Sequence, residues 1–346
     1  MSIRKLTKHV LASLAIAATM LVAGCASPSA PAETEKALPT LTSGKLTIGT
    51  GQPAYEPWVV GDAPENGGGF EAAVAYAVAE ELGFAPADVV WVRTTFDEAI
   101  APGLKNFDFN LQQYSITDER KAAVDFSSPY YETTQTVITV KGSKAAAATT
   151  VGDLKGLLIG AATGTTSFTA IEDVIKPTAG AKAFNSNDDA KAALQAGQVD
   201  AIVVDLPTAL YLTAVELDGG KIVGQLSGAA SGDRFGLVLD KGSKLTAAVT
   251  AAVDALRESG KEIKNHTLAH LDLYLERYEQ KVKDSGGHVH FAVDSAEARN
   301  IVLDICRQAG ARTVTKGKSM ISEEIGLNAH LEAAGIVPVE TARRRT

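Results

Sequence analysis

Cysteine is nearly absent from the 346-residue chain, with Cys25 and Cys306 as its only two. A disulfide framework is therefore excluded, and stability has to come from packing. Basic excess is missing too. The formal net charge is −8, and no patch of lysine and arginine interleaved with aromatics is present to hold phosphates, which excludes nucleic acid as a partner. Long apolar runs are lacking: the longest, Val10 to Ala23, is shorter than the roughly 20 residues a permanent membrane helix needs. Two chemical motifs fail on single residues. His266 and His270 stand four apart, but no glutamate follows the first, so the zinc-protease pattern is absent and a solvated helix face is expected, with no metal. In "TKGKS" the glycine needed five positions before Gly317 is Arg312, so the phosphate-loop pattern fails and a lysine-bearing turn is expected. No catalytic dyad emerges, and the expectation is a protein that is not an enzyme and carries no cofactor.

What is present begins with an address. Arg4, Lys5 and Lys8 precede the apolar run, which stops at Cys25, the layout of a signal peptide over residues 1–25. "LVAGC" resembles the bacterial lipobox, which implies cleavage before Cys25 and its lipidation. Several acyl chains together anchor stably where one does not. The small, polar, proline-bearing stretch that follows predicts a flexible tether over residues 26–44. A soluble body held at the outer face of a cell membrane is the expected product.

From Lys45 the chain alternates strand-like runs ("KLTIGT", "VVWVRT", "FDFNLQQYSI", "TVITVK") with helical periodicity such as "GFEAAVAYAVAEELG". After "KAAAATTVGDLKG" the alternation restarts with "LLIGAAT", "AKAALQAG", "VDAIVV" and "KIVG", and it closes on "RFGLVLDKG" and a helix through "DALRESG". This pattern predicts α/β layers. Two such runs predict two lobes, the first over residues 45–140 and 228–260 and the second over 141–227. Ligands of open α/β sheets bind beyond the carboxyl ends of the strands.

The segments "YEPW", "GF", "SITDER", "VDFSSPYY", "GAATGTTS", "GQVDAIVVD" and "RFGLVLDKGSKL", in this order, resemble the family 3 extracellular solute-binding proteins of amino-acid ABC importers. The resemblance implies a two-lobed periplasmic-binding-protein fold of type II that captures an amino acid by lobe closure and delivers it to a membrane permease. It also implies that Arg120 is the bidentate partner of the ligand carboxylate, a geometry that suits guanidinium. Asp205 takes the ammonium, Thr165 and Thr166 supply hydroxyls where a strand meets a helix, and Ser115 and Gln113 flank the carboxylate. Other roles stay open: Arg120 as a surface partner of Glu119 or Asp125, and Asp205 as the cap of a helix at "LPTALYL". Tyr55 and Trp58 are placed for an aromatic wall, and Glu71, Gln112 and Gln113 for polarity. Ala73 and the two glutamines depart from the usual family pattern, so the expectation is a polar amino acid and no particular one.

After Gly260 the composition changes, and five of the six histidines lie beyond it. "IKNHTLAHLDLYLERYEQKV" and "SAEARNIVLDICRQAG" are helix-patterned, while "GHVHFAV" and "ARTVT" are strand-like. "EIKNHTLAHLDLYLERYEQKV", "GGHVHFAVDSAEA" and "TVTKGKSMISEEIGLN" resemble the N-terminal part of lactate-utilisation iron–sulfur proteins, whose LUD domain is Rossmann-like. Residues 261–346 are thus expected to form an incomplete β/α fragment. Its single cysteine is too few for a four-iron cluster. The leading expectation is an extracytoplasmic binding lipoprotein fused to this fragment. The alternative is an electron-transfer subunit of lactate utilisation with an acquired N-terminus.

Overall fold

A computed structural model describes residues 38–226, 232–317 and 319–341. The expected leader, the expected lipidation at Cys25 and most of the expected tether lie outside the described residues. The tether is shorter than expected at its far end. Leu38 packs against the first hydrophobic core, and the backbone N–H of Leu41 donates to Asp108 Oδ1 at 2.8 Å, because a buried carboxylate there needs donors.

The chain runs β1 (Leu46–Gly51), α1 (Phe70–Glu81), β2 (Val89–Thr94), α2 (Phe96–Ile100), β3 (Phe109–Asn110), α3 (Asp118–Ala123) and β4 (Val124–Thr133). It continues through β5 (Gln135–Val140), α4 (Val151–Leu154), β6 (Ile159–Ala162), α5 (Thr166–Ala170), β7 (Lys182–Phe184), α6 (Asn187–Gln195), β8 (Ala201–Asp205), α7 (Leu206–Tyr211) and β9 (Gly220–Gln225). It then returns as β10 (Asp233–Asp240) and α8 (Thr246–Ala269). The tail adds α9 (Leu271–Asp284), α10 (Ser295–Gln308), β11 (Thr313–Gly317), α11 (Met320–Glu324), α12 (Leu327–Ala333) and β12 (Val337–Thr341).

Two five-stranded sheets form the two lobes, in the orders β2-β1-β3-β10-β4 and β7-β6-β8-β5-β9. Each has a parallel centre and an antiparallel flank: β1 is parallel to β2 and β3 while β10 is antiparallel to β3 and β4, and β6 and β5 repeat the plan. The first crossing between sheets falls earlier than expected. Strand β5 pairs with β8 and β9, so "QTVITV" belongs to the second lobe, and the passage is made at Thr133–Gln135. Periodicity marks a strand but carries no information about which sheet accepts it.

Burial on both faces explains the apolar strands. All six residues of β1 are buried. In β8 the faces alternate: Ala201 and Val203 join Ile159 and Ile171 in one core, and Ile202 and Val204 join Ile138 and Leu194 in another. Val249 and Val253 of α8 and Ala75 and Val78 of α1 cover the first sheet.

The boundary at Gly260 is not a break. Helix α8 passes through it to Ala269, because a single glycine in a helix costs only about 1 kcal/mol. The helix predicted from Ile263 is split at His270 (φ −124°, ψ 27°) into the end of α8 and α9. No strand forms at "GHVHFAV". The tail's sheet is the parallel pair β11–β12, packed over Leu303, Cys306, Leu327, Leu331 and Ile336. Among the described residues no helix is long and apolar enough to cross a membrane, and no group of three or more His, Cys, Asp and Glu side chains is placed to hold a metal.

One glycine fixes how the loop before α1 meets that helix. Gly69, its N-cap, has φ +96°, and a Cβ there would stand 2.4 Å from the Trp58 carbonyl oxygen. The same carbonyl accepts from Glu71 N at 2.9 Å, so it has no room to move. Gly69→Ala should therefore destabilise the protein by ~1–3 kcal/mol in chemical denaturation. A change within 0.5 kcal/mol, as for about any neutral surface substitution, would contradict this packing.

Candidate functional site

The carboxyl ends of β1, β3, β6 and β8 converge on one cleft between the lobes. It encloses a cavity of about 180 Å³ lined by Tyr55, Gln112, Gln113, Ser115, Arg120, Thr165, Thr166 and Asp205, with Gln52, Phe96 and Asp97 among its other walls. That is smaller than the roughly 300–1,000 Å³ typical of drug-sized ligands and suits a small metabolite. Hydrogen bonds that join the lobes around it include Ser115 Oγ to Thr166 Oγ1 at 3.2 Å, Arg120 Nη2 to the Gly164 carbonyl at 2.8 Å, and, behind the wall, Trp58 Nε1 to Thr208 Oγ1 at 3.1 Å.

Arg120 is placed by its own helix start. Thr117 caps α3, its hydroxyl accepting from Arg120 N at 3.2 Å, and this turns the side chain inward. The residue is 9% exposed. Nη1 donates to the Ser115 carbonyl at 2.8 Å, and the guanidinium carbon lies 5.3 Å from the centre of the Phe96 ring, a cation–π contact. Burial lowers its pKa, and Tyr114, Asp233 and Asp205 oppose that effect. The surface pairing with Glu119 or Asp125 is not made; Asp125 pairs with Lys241.

Asp205 ends β8 and leads into α7, but its side chain makes no capping hydrogen bond. Its Oδ1 accepts from Gln135 Nε2 at 2.9 Å. Burial, then the charge of Asp233, push its carboxyl up to about 8. Thr165 does cap α5, accepting from Phe168 N at 3.2 Å, and Thr166 faces the cavity beside Ser115.

Two expected wall residues stand behind the wall. Trp58, 2% exposed, is packed edge-on to Phe70, Tyr131 and Phe235, since its bulk is worth more in the core than beside solvent. Glu71 is 2% exposed and accepts from Gln113 N at 2.8 Å, from Gln113 Nε2 at 2.5 Å and from the Tyr130 hydroxyl. It sets the wall's shape and not its polarity. Gln113 has φ +52°, a left-handed conformation that costs a non-glycine residue about 1–3 kcal/mol, and the two bonds to Glu71 hold it there. Tyr55 does line the cavity, half-buried, with burial raising its pKa ahead of the Asp188 charge.

Sequence reasoning missed Phe96, Gln135 and Asp233. Phe96 sits just inside the capping box of Thr95 and Glu98, a readable helix start. Gln135 and Asp233 lie where the chain crosses between lobes, and nothing in their local pattern marks them.

The fold and its cleft define a two-lobed receptor for a small molecule. A family model for bacterial extracellular solute-binding proteins, family 3, matches residues 46–266, and the chain belongs to that family. An ancestral arginine-binding protein bound to arginine is 32% identical, with a TM-score of 0.53 over 64% of this chain and 96% of that one. An ancestral arginine-binding protein bound to glutamine gives 32%, 0.54, 65% and 97%. The arginine-, lysine-, histidine-binding protein ArtJ from Geobacillus stearothermophilus gives 25%, 0.50, 64% and 94%. Lactate utilization protein B of Geobacillus sp. (strain WCH70) is 47% identical over 85 residues, which are 25% of this chain. The chain spans 18% of that relative's length, and the match is the size of the stretch after Gly260.

Burial pushes the Glu71 carboxyl from 4.5 up to about 7, against the hydrogen bonds from Tyr130 and Gln113. A carboxyl raised on folding contributes stability that is full below its unfolded value and is lost as pH rises through the folded one. Glu71→Gln keeps the shape and cannot ionise. Relative to the parent it should gain up to ~3 kcal/mol between pH 4.5 and pH 8, read from urea unfolding. A parent-to-variant difference that is flat across this window would rule out the shifted carboxyl.

Proposed function

We propose that the protein is the extracytoplasmic receptor of an ABC importer, held to the cell membrane through lipidated Cys25, that captures a polar amino acid and presents it to a permease. It acts by binding and not by catalysis. The observation that carries this reading is the pair Arg120 and Asp205: a guanidinium and a carboxyl, one from each lobe, on the walls of one small cavity. The ligand carboxylate takes donors of the Arg120 fork with help from the hydroxyls of Ser115 and Thr166 once these turn from each other, while Thr165, whose hydroxyl donates to the Ala162 carbonyl, holds the start of α5. The ammonium takes Asp205. Gln113 and Tyr55 bound the side chain, while Trp58 and Glu71 support from behind. Arginine and glutamine, the ligands of the ancestral arginine-binding protein, are both polar, which supports the same class.

Lobe closure follows from differential contact. A zwitterion touching Arg120 on one lobe and Asp205 on the other satisfies both ends only when the lobes meet, so it favours the closed state. The interlobe hydrogen bonds of Ser115, Arg120 and Trp58 are among the contacts such a state would keep.

A thermal-shift screen of the twenty common L-amino acids should single out one or a few polar ones, and silence toward all would remove this function. Calorimetry on Arg120→Ala should show binding of the selected amino acid weakened by ~2–5 kcal/mol, and unchanged affinity would free Arg120 of its role. Cys25→Ser should move the expressed protein from the membrane fraction to the soluble one; persistence in the membrane fraction would refute the anchor.

A further inference from the structure

Gln135, Asp205 and Asp233 meet at the hinge of the cleft. Gln135 opens β5 directly after the first crossing and lies in register with Asp205 of β8, both in the second lobe. Asp233 opens β10 in register with Thr133, in the first. Gln135 Nε2 donates to Asp205 Oδ1 at 2.9 Å and also to Asp233 Oδ2. The amide oxygen accepts from Ser167 Oγ at 2.6 Å, and turning the amide round would set that oxygen against the two carboxyls, where the NH2 now donates. Thr166 Oγ1, which faces Ser115 across the cleft, lies 3.2 Å from Asp233 Oδ2 and donates to it.

Two carboxylates thus share one neutral amide, and among the described residues no ion pair within 4.0 Å reaches either of them. Arg120 donates to the Ser115 and Gly164 carbonyls and acts on the two carboxyls only through space. Glu71 adds further negative potential at Asp205. Like charges held this close cannot both ionise freely unless an opposite charge joins them.

We infer that Asp233, which stands off the cavity wall, is a positioning residue that makes the cleft demand an ammonium group: with Asp205 it forms a carboxylate pair, drawn from both lobes and bridged by Gln135, that a cationic ligand group completes. This rests on the amino-acid reading above and extends it to how the amine is selected. A ligand with a carboxylate but no amine meets the pair's repulsion uncompensated. A ligand with an ammonium restores the ionised pair, releasing the proton that Asp205 otherwise holds below about pH 8.

The test is calorimetry from pH 5.5 to 8.5 on the parent, Asp233→Asn, Asp233→Ser and Asp233→Glu. The probes are the twenty common L-amino acids and the 2-hydroxy analogue of the one bound most tightly. For the parent, affinity should rise by up to about tenfold per pH unit below pH 8, one proton being released. In Asp233→Asn and Asp233→Ser the rise should move at least one unit lower, changing the parent-to-variant affinity ratio about tenfold between pH 6 and pH 8. The hydroxy analogue should gain relative to the parent, and Asp233→Glu should keep the parent profile. Variant profiles that superimpose on the parent's, with the analogue equally excluded, overturn the role of Asp233 and leave amino-acid binding intact. Failure of the parent to bind any amino acid removes the underlying reading and this inference with it.

Discussion

A guanidinium buried between two lobes is the constraint on which the cleft depends. A charge taken out of water must be paired or hydrogen-bonded, and Arg120 meets that demand with carbonyls from both lobes, Ser115 and Gly164. Each carbonyl fixes a loop: the first follows β3 and the second precedes α5. The Phe96 ring beneath the guanidinium fixes the start of α2 as well. One side chain thereby sets the relative position of three of the segments that line the cavity. A guanidinium has five donors, and two carbonyls leave capacity for a carboxylate, which is the chemistry that motivates the proposed ligand.

The lobes were legible in the sequence because their strands are short apolar runs bounded by glycine and polar turns, and the helices between them carry an apolar face. What the pattern could not carry is pairing. "FDFNLQQYSI" is strand-like throughout, yet only Phe109 and Asn110 form a strand, with Ser115 returning in a single antiparallel bridge to Phe235. The rest turns away at Gln113, whose left-handed backbone is held by a glutamate 42 positions earlier. The resemblance pointed to Arg120, Thr165, Thr166 and Asp205, and each sits at a helix start or a strand end on the cavity wall. Trp58 and Glu71 were misplaced for the complementary reason: an aromatic and an acid near a loop look the same whether they face ligand or stand one layer behind it.

The seam at Gly260 shows the same limit from the other side. The family match runs past it to residue 266, and the backbone shows no change at Gly260. Helical propensity is high on both sides, and α8 runs on without interruption. Packing does register the change. Val249, Ala252 and Val253 are buried against the first lobe, whereas Ile263, Leu268, Leu271, Tyr274 and Tyr278 are each exposed by more than a third. The helix is continuous while its burial stops partway.

The two raised carboxyls of the site differ in what can reach them. Glu71 and Asp205 are both pushed up chiefly by burial, but Glu71 is enclosed by Gln113 and Tyr130 of its own lobe, which donate to it. Asp205 lines the cavity itself, with Gln135 as its donor and Asp233 as its rival. A charged group entering the cleft therefore changes the balance at Asp205 directly and at Glu71 only through the Gln113 wall. Recognition of a cation and maintenance of the pocket's shape are thus assigned to different carboxyls, separated by one layer of side chains. That separation lets the shape-setting acid keep its hydrogen bonds while the wall-lining acid responds to what binds.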